Sequence, residues 1–458
     1  MLGVERRRFR PYPEYKDSGV EWLGKIPAHW DIARIKEQFC IVNGSTPSSS
    51  VPSFWDGDIV WATPDDLGEL RVSRLGDSRR KITEEGYKSC GTSIVPKGSI
   101  VISTRAPIGY VAIAATNLCT NQGCKSLVSK RPLSTGFFYY QLSSAKNELE
   151  SRGEGSTFKE ISKDKLGLII LTKPLEPDQH SIAFFLDCET AKIDALIEKK
   201  LRLIELLQEK RTALITQVVT KGLDPTVHMK DSGVEWLGDI PAHWMVKRLW
   251  HLTPSDRRIM YGIVLPGPNV DAGVPIVKGG DVSLERLRID KLNRTTFEIE
   301  SGYVRSRLRG GDLVYAIRGS IGEAAIVPEE LTGANLTQDA ARISYTPATY
   351  GAWLLYMLKS AVTFAQLEAG ALGATIKGIN IRDLKRAIVP VPPRIEQQAI
   401  ASYLEASTAR IDALIGEIGE VITRLNEYRT ALIFEAVTGK IDIRTGHLLD
   451  EGPGYLSA

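Results

Sequence analysis

Cysteine is scarce in this chain of 458 residues. There are five, Cys40, Cys90, Cys119, Cys124 and Cys188, and the second half has none. An odd, lopsided set excludes a disulfide framework. Cys119 and Cys124 are close in sequence, but no second Cys/His pair accompanies them, so buried free thiols are expected and no metal site. Long apolar runs are also missing. A stretch such as "LGLIIL" (Leu166–Leu171) is far shorter than the roughly 20 residues a membrane span needs. The N-terminal "MLGVERRRFRPYP" has arginines but no apolar segment behind them, so it does not read as a secretory signal. A cytoplasmic location without membrane contact is the expectation.

Several signatures of chemistry are absent too. No P-loop occurs, and no Gly-rich dinucleotide fingerprint follows a strand. The Asn/Asp-Pro-Pro-aromatic tetrad of amino-methyltransferases is missing, since "PVPPRIE" (Pro390–Glu396) lacks both the amide and the aromatic. "TPDDLGELR" (Thr63–Arg71) has clustered carboxylates, but nothing later in the chain matches it as a metal-nuclease site. Of the six histidines only His29 and His243 correspond to each other, and neither has a nucleophile nearby. These gaps argue against an enzyme that modifies or cleaves by itself.

What the sequence has in abundance is itself. "KDSGVEWLGKIPAHW" (Lys16–Trp30) returns as "KDSGVEWLGDIPAHW" (Lys230–Trp244), with 14 of 15 residues identical. "ISTRAPIG" (Ile102–Gly109) matches "YAIRGSIG" (Tyr315–Gly322), and "GSTFKEI" (Gly155–Ile161) matches "GATIKGI" (Gly373–Ile379). "KIDALIEK" (Lys192–Lys199) matches "RIDALIGE" (Arg410–Glu417), and "RTALITQVVT" (Arg211–Thr220) matches "RTALIFEAVT" (Arg429–Thr438). The offsets drift only from 213 to 218, so the whole chain is a tandem duplication with a period too long for a solenoid.

Each copy has the same internal order. After the Trp signature come mixed segments rich in Gly, Pro and β-branched residues. "GSIVIST" (Gly98–Thr104) and "GDLVYAI" (Gly311–Ile317) read as buried strands. Phe137–Ser151 and Gly351–Ala369 read as helices. The fold class expected is mixed α/β in each block. From Asp178 to Thr220 there is then neither Gly nor Pro. Ile193, Leu196, Leu203, Leu207 and Leu214 recur there at heptad spacing, interrupted by Lys200 and Lys210. The second copy repeats the stripe with Ile411, Leu414, Ile418, Val421, Leu425, Tyr428 and Leu432. Such a stripe predicts two long coiled-coil helices. Pseudo-two-fold symmetry would pair them antiparallel as a rod of roughly 64 Å. The competing expectation is two separate helices, each packed on its own globule.

The total charge of +3 conceals an uneven distribution. Residues 30–173 carry a net +4 and residues 245–391 a net +5, while the helical regions 174–229 and 392–442 carry −2 and −3. Basic runs such as "SRRK" (Ser78–Lys81), "RLRIDKLNR" (Arg286–Arg294) and "RSRLR" (Arg305–Arg309) could neutralise phosphates, although a charge run is usually a solvated face.

Two variable globules, each followed by a long helix in tandem duplication, resemble the specificity subunit of type I restriction-modification systems. The resemblance covers nearly the whole chain. It is carried by the duplicated Trp signature, by "GDLVYAIRGSIG" and its counterpart, and by "PLEPDQHSIAFFLD" (Pro174–Asp187) with "PPRIEQQAIASYLE" (Pro392–Glu405). "KIDALIEKKLRLIELLQEKR" (Lys192–Arg211) completes the set. The resemblance implies a non-catalytic subunit of a site-specific deoxyribonuclease and adenine methyltransferase complex. The globules at 31–173 and 245–391 would be target recognition domains, each reading one half of a bipartite target in double-stranded DNA. The helices at 174–222 and 392–440 would set the spacing and dock two methyltransferase subunits, with motor-nuclease subunits joining. This chain would bind no cofactor; S-adenosylmethionine, ATP and Mg would belong to the partner subunits. The segments at 1–30 and 223–244 would build the same junction twice, closing the chain into a circular arrangement, with 441–458 a tail. A related modification-only or type II-like system, and a coiled-coil scaffold with two protein-binding heads, are the alternatives.

The duplication also sorts the candidate site residues. Positions shared by both copies cannot account for different target halves. Arg105 with Arg318, and Lys159 with Lys377, could each hold a phosphate, or each pair with a carboxylate. Base readers belong where the copies diverge: Arg71, Arg74, Arg79, Arg80 and Lys81 in the first globule, and Arg286, Arg288, Arg294, Arg305 and Arg307 in the second.

Overall fold

The computed structural model describes residues 9–70, 72–155, 159–283, 285–371 and 378–444. They divide into two units, residues 1–199 with 421–458, and residues 200–420. Each unit therefore contains one mixed α/β module and a portion of both long helices.

The first module has a five-stranded sheet in the order Phe39–Asn43, Cys124–Ser129, Ile100–Ser103, Val111–Ala114, Arg74–Leu75, antiparallel except at the last strand. A second sheet orders Cys119–Thr120, Trp55–Ala62 and Lys81–Ile82. The second module repeats the plan. Its sheets run Met260–Tyr261, Ala340–Ile343, Leu313–Ala316, Ala324–Ile326, and Asn293–Thr295, Val274–Val277, Asn335–Leu336. The central strands Ile100–Ser103 and Leu313–Ala316 are fully buried, as their unbroken apolar character requires.

Phe137–Ser151, expected as one helix, forms two, Thr135–Ser144 and Lys146–Ser151. The second copy splits at the same place, into Gly351–Leu358 and Ala361–Ala371. At the breaks Ser144 and Ser360 donate their hydroxyls back to the carbonyls of Gln141 and Met357, at 2.8 and 2.6 Å. Such local bonds compete with the helical ladder.

The repeated signature folds identically twice. Tyr15–Asp17 pairs with Lys25–Pro27, and Met229–Asp231 with Asp239–Pro241. Asp17 Oδ1 accepts the Gly19 amide at 2.9 Å, as Asp231 Oδ1 accepts that of Gly233 at 2.9 Å. Gly19 and Gly24 have φ of 66° and 58°, and Gly233 and Gly238 have 71° and 63°. This left-handed backbone explains why the hairpin needs its glycines. The hairpin delivers a fully buried tryptophan, Trp30 or Trp244, beside the end of a long helix. At about 25 cal/mol per Å², burying an indole contributes roughly 4–6 kcal/mol.

The segments that meet are distant in sequence. Trp30 lies against Gly439, just beyond the second long helix, whereas Trp244 lies against Gly222, just beyond the first. Tyr15 Oη donates to the Gly439 carbonyl at 3.0 Å, and Lys440 Nζ to that of Leu23 at 2.9 Å. In the first unit segments near the two ends of the chain thus build the junction that continuous sequence builds in the second.

The long helices run Glu176–Lys221 and Arg394–Val437. In the first unit Arg429 Nε bonds Asp194 Oδ1 at 2.9 Å, and in the second Arg211 Nε lies 3.0 Å from Asp412 Oδ1. Asp194 and Asp412 are equivalents in the duplication, as are Arg211 and Arg429. One contact is therefore made twice with the helices exchanged, and their directions are antiparallel. The apolar stripe is less enclosed than its heptads suggest. Ile193, Ile418 and Leu432 are buried, but Leu196, Leu203, Leu414, Val421 and Tyr428 are 38–45% exposed. Burial concentrates near the helix ends, where Ile182 and Leu186 pack in the first unit and Ile400 and Leu404 in the second.

Among the described residues, no helix is long and apolar enough to cross a membrane, and no group of three or more His, Cys, Asp or Glu could hold a metal ion. Cys119 and Cys124 are buried free thiols; Cys40 is exposed.

Candidate nucleic-acid interface

In the first module the divergent basic run lies just before the edge strand Lys81–Ile82. Asp66 is buried and receives the Thr63 amide and hydroxyl at 2.8 and 2.6 Å, capping a short helix, and also the Arg79 amide at 2.9 Å. The run is thereby tied to the fold by its backbone. Its side chains diverge in partner. Arg79 pairs with Glu69, and Lys81 lies 3.1 Å from Asp77. Arg80 stacks its guanidinium 3.6 Å above the Trp55 ring. Arg74 is exposed on its short strand, and Arg71 lies outside the described residues.

The shared arginine loops have one geometry. The Arg105 amide donates to the Gly123 carbonyl at 3.2 Å, and the Arg318 amide to that of the equivalent Asp339 at 3.1 Å. Their side chains differ. Arg105 grips Glu160 Oε2 through Nε at 3.1 Å and Nη2 at 2.7 Å, so the carboxylate pairing is realised there. Lys125 lies beneath, 3.7 Å from Glu160 Oε1, and burial draws its ammonium below the ordinary lysine value. Arg318 is exposed, with no carboxylate partner among the described residues. Lys159 is exposed on the loop beside Arg105, its carbonyl accepting the Ala106 amide at 3.2 Å. Its counterpart Lys377 lies outside the described residues.

In the second module a buried charge network arranges the basic loop Arg305–Arg309. Arg342, 1% exposed, donates to the carbonyls of Arg305, Arg307 and Arg258, the last two at 3.2 and 3.1 Å. Burial pushes its guanidinium down to about 10, so it stays charged at neutral pH. Asp312 accepts Arg257 Nη2 at 2.6 Å, Ser344 Oγ at 2.5 Å and the Arg309 amide at 2.8 Å. Arg307 is committed to the buried Glu300 through two bonds of 2.6 and 2.5 Å. That leaves Arg305 and Arg309 as the exposed basic side chains of the loop without a carboxylate partner among the described residues. Arg286 donates to the Gly280 carbonyl, Arg288 to Asp290 and Arg294 to the Gly273 carbonyl, at 3.1, 3.2 and 3.0 Å.

Sequence reasoning missed three contributors. The indole pair Trp55 and Trp61, six residues apart near an arginine run, could have been noticed as aromatic residues interleaved with basic ones. Asp312 and Arg342 carry little local signal, because apart from the Arg309 amide their partners lie 32 to 84 residues away. A further duplicated feature lies along the helices. Trp22, Asn426, Glu427 and Thr430 line a groove of about 840 Å³ in the first unit, and Gln208, Glu209, Thr212 and Leu237 line one of about 1030 Å³ in the second.

These features define a class: a duplicated protein with two modules of one frame and different basic surfaces, held on a pair of antiparallel helices. The chain belongs to the family of the type I restriction modification DNA specificity domain, whose model matches residues 27–206 and 274–424, and it is thereby a specificity subunit, a non-catalytic component of such enzymes. It is 28% identical over 455 residues to the type I restriction enzyme MjaIX specificity subunit of Methanocaldococcus jannaschii, covering 95% of this chain and 98% of that one. It is 26% identical to the EcoBI specificity subunit of Escherichia coli, covering 74% and 72%. A solved structure from work on complex assembly and conformational transition of the type I R-M system superposes with a TM-score of 0.62 at 17% identity, covering 91% of this chain and 99% of that one.

Proposed function

We propose that this chain recognises a bipartite sequence in double-stranded DNA, one half with each module, on behalf of catalytic partners. The observation that carries this reading is one frame bearing two different basic surfaces. The shared loops of Arg105 and Arg318 suit contacts that position a duplex, and the divergent loops suit contacts that specify it. Arg71, Arg74, Arg79, Arg80 and Lys81 would act in the first module. Arg286, Arg288, Arg294, Arg305 and Arg307 would act in the second. Lys159 and Lys377 would add phosphate contacts. Arg79, Lys81, Arg288 and Arg307 would have to share or exchange their present carboxylates to do so.

The long helices would dock two methyltransferase subunits, one per unit, and would set the unread gap between the half-sites. The twin grooves and the open apolar stripe support this, since exposed apolar surface of this extent commonly marks a protein interface. Motor-nuclease subunits would join the same assembly. S-adenosylmethionine, ATP and Mg would be used by these partners and bound by none of the residues described above.

Exchanging residues 31–173 for the first module of another family member tests the reading. Methylome sequencing of cells carrying the chimaera and its methyltransferase should show one half of the motif replaced and the other retained. Change in both halves would refute the assignment of one half-site per module.

A further inference from the structure

The Arg80 guanidinium lies with its carbon 3.6 Å from the Trp55 ring centre and 5.9 Å from that of Trp61. The two indoles meet edge to face at 5.1 Å, and both are more than nine-tenths buried. Their N–H groups are already used, donating to the carbonyls of Ser48 and Ser45 at 3.1 and 2.9 Å. The platform is therefore rigid, and only its face is available. The loop carrying Arg80 is equally fixed. Ser78 Oγ accepts the Trp61 amide at 3.0 Å and donates to the Arg80 carbonyl at 2.7 Å. On one side of Arg80 the Arg79 amide is tied to buried Asp66, and on the other Lys81 pairs with Val60 in the sheet.

Stacking engages only the face of a guanidinium. Its N–H donors lie in its plane and remain free at the edge. The neighbouring cations do not share this state, because Arg79 and Lys81 each have a carboxylate. Arg80 is exposed and has none among the described residues. Among the described residues the second module shows no such arrangement. Strand registers place Ile276 where the first module has Trp61, and Asn293 where it has Arg80. The stacked arginine thus occurs at a position where the modules share backbone and differ in side chain.

We infer that Arg80, held flat on Trp55, is a specificity-determining residue of the first module and reads a guanine in the major groove through its free edge. Guanine presents O6 and N7 as two adjacent acceptors, which a planar guanidinium meets with two parallel bonds. A pre-stacked side chain loses little rotamer freedom on binding, so the contact discriminates without a large ordering cost. The inference rests on the DNA-recognition reading above and deepens it.

The test is methylome sequencing of cells co-expressing the methyltransferase partner with the wild-type chain, Arg80→Gln, Arg80→Lys or Trp55→Leu. The wild-type motif should contain a G·C pair in one half-site whose preference falls by about 5- to 100-fold in Arg80→Gln. Arg80→Lys and Trp55→Leu should relax the same position, while the other half-site and the gap stay unchanged. An unchanged motif in Arg80→Gln would overturn the inference. So would an even loss of methylation at every position, which marks a phosphate contact. A wild-type complex that methylates without sequence preference would instead overturn the underlying reading. Arg80→Gln changes an exposed side chain, so its result does not depend on refolding a core.

Discussion

Asp312→Asn offers a sharp test of how the second module holds its basic loop. The side chains of Asp312 and Arg257 are only 7% and 15% exposed, so their attraction is little screened. The carboxylate also takes the Ser344 hydroxyl and the Arg309 amide, and Arg342 lies buried close by. An amide preserves the shape but removes the negative charge and one acceptor. Breaking a buried pair by neutralising one member typically costs about 3–5 kcal/mol. We expect the lower end, about 3 kcal/mol, because an amide oxygen at the Oδ2 position would still accept the bonds from Arg257 and the Arg309 amide. For a unit of this size, 1 kcal/mol moves the melting temperature by roughly 2–4 °C, so scanning calorimetry should show a fall of about 6–12 °C. The first module has Ser99 and Ser126 at the positions of Asp312 and Arg342, so it lacks this network and should be indifferent. On the proposed function, methylation should lose fidelity in one half-site only. Melting within about 2 °C of wild type, less than the shift for 1 kcal/mol, with an unchanged motif, would refute the reasoning.

Other predictions concern acid, the helices and spacing. Glu300 is held below the usual carboxylate range mainly by Arg307, so its contribution is fully present above the ordinary glutamate value and disappears as pH falls through its lower folded value. Acid unfolding monitored by circular dichroism should therefore be less steep in Glu300→Gln. Ile418→Asp would bury an unpaired carboxylate at a site 5% exposed and should destabilise the fold by several kcal/mol, on the order of 3. Leu206→Asp, on a residue 45% exposed, should leave melting unchanged yet reduce methyltransferase binding in native mass spectrometry. Because both helices run through both units, lengthening the gap needs matched heptads, one after Lys199 and one after Glu420. The pair adds about 10 Å, equivalent to up to roughly 3 base pairs, with the same half-sites. A single heptad after Arg211 should instead disturb helix register and weaken assembly.

The parts legible in the sequence were those written twice. The Trp signature, the central strands and the long helices each gave two independent readings, and the structure repeats them nearly residue for residue. Periodicity found the long helices and their apolar face but not how far that face is enclosed, because a heptad pattern reports which face is apolar and not what covers it. Leu203 and Leu414 satisfy the pattern but remain exposed. The basic surfaces were the least legible. Composition marked Arg79, Arg80 and Lys81 alike, yet one pairs with Glu69, one stacks on Trp55 and one meets Asp77. Those choices depend on strand register, which brings together residues far apart in the chain.

The exchange of ion pairs between the helices has a consequence for half of this protein. A chain ending near residue 229 would carry one module and one long helix lacking its antiparallel neighbour. The missing neighbour could be an identical helix. Asp194 of one molecule would meet Arg211 of the other, the contact this chain makes as Asp194–Arg429 and Asp412–Arg211. The opening hairpin of each molecule would dock on the helix end of the other, as Trp30 docks beside Gly439. Two such molecules would rebuild both units with identical modules. On the proposed function their target would be a palindrome. Joining the copies into one gene releases that constraint, because mutations in one module no longer appear in the other. On the proposed function, unequal halves of a target would then depend on covalent linkage of the two copies, while the helices keep the symmetry that such linkage does not require them to lose.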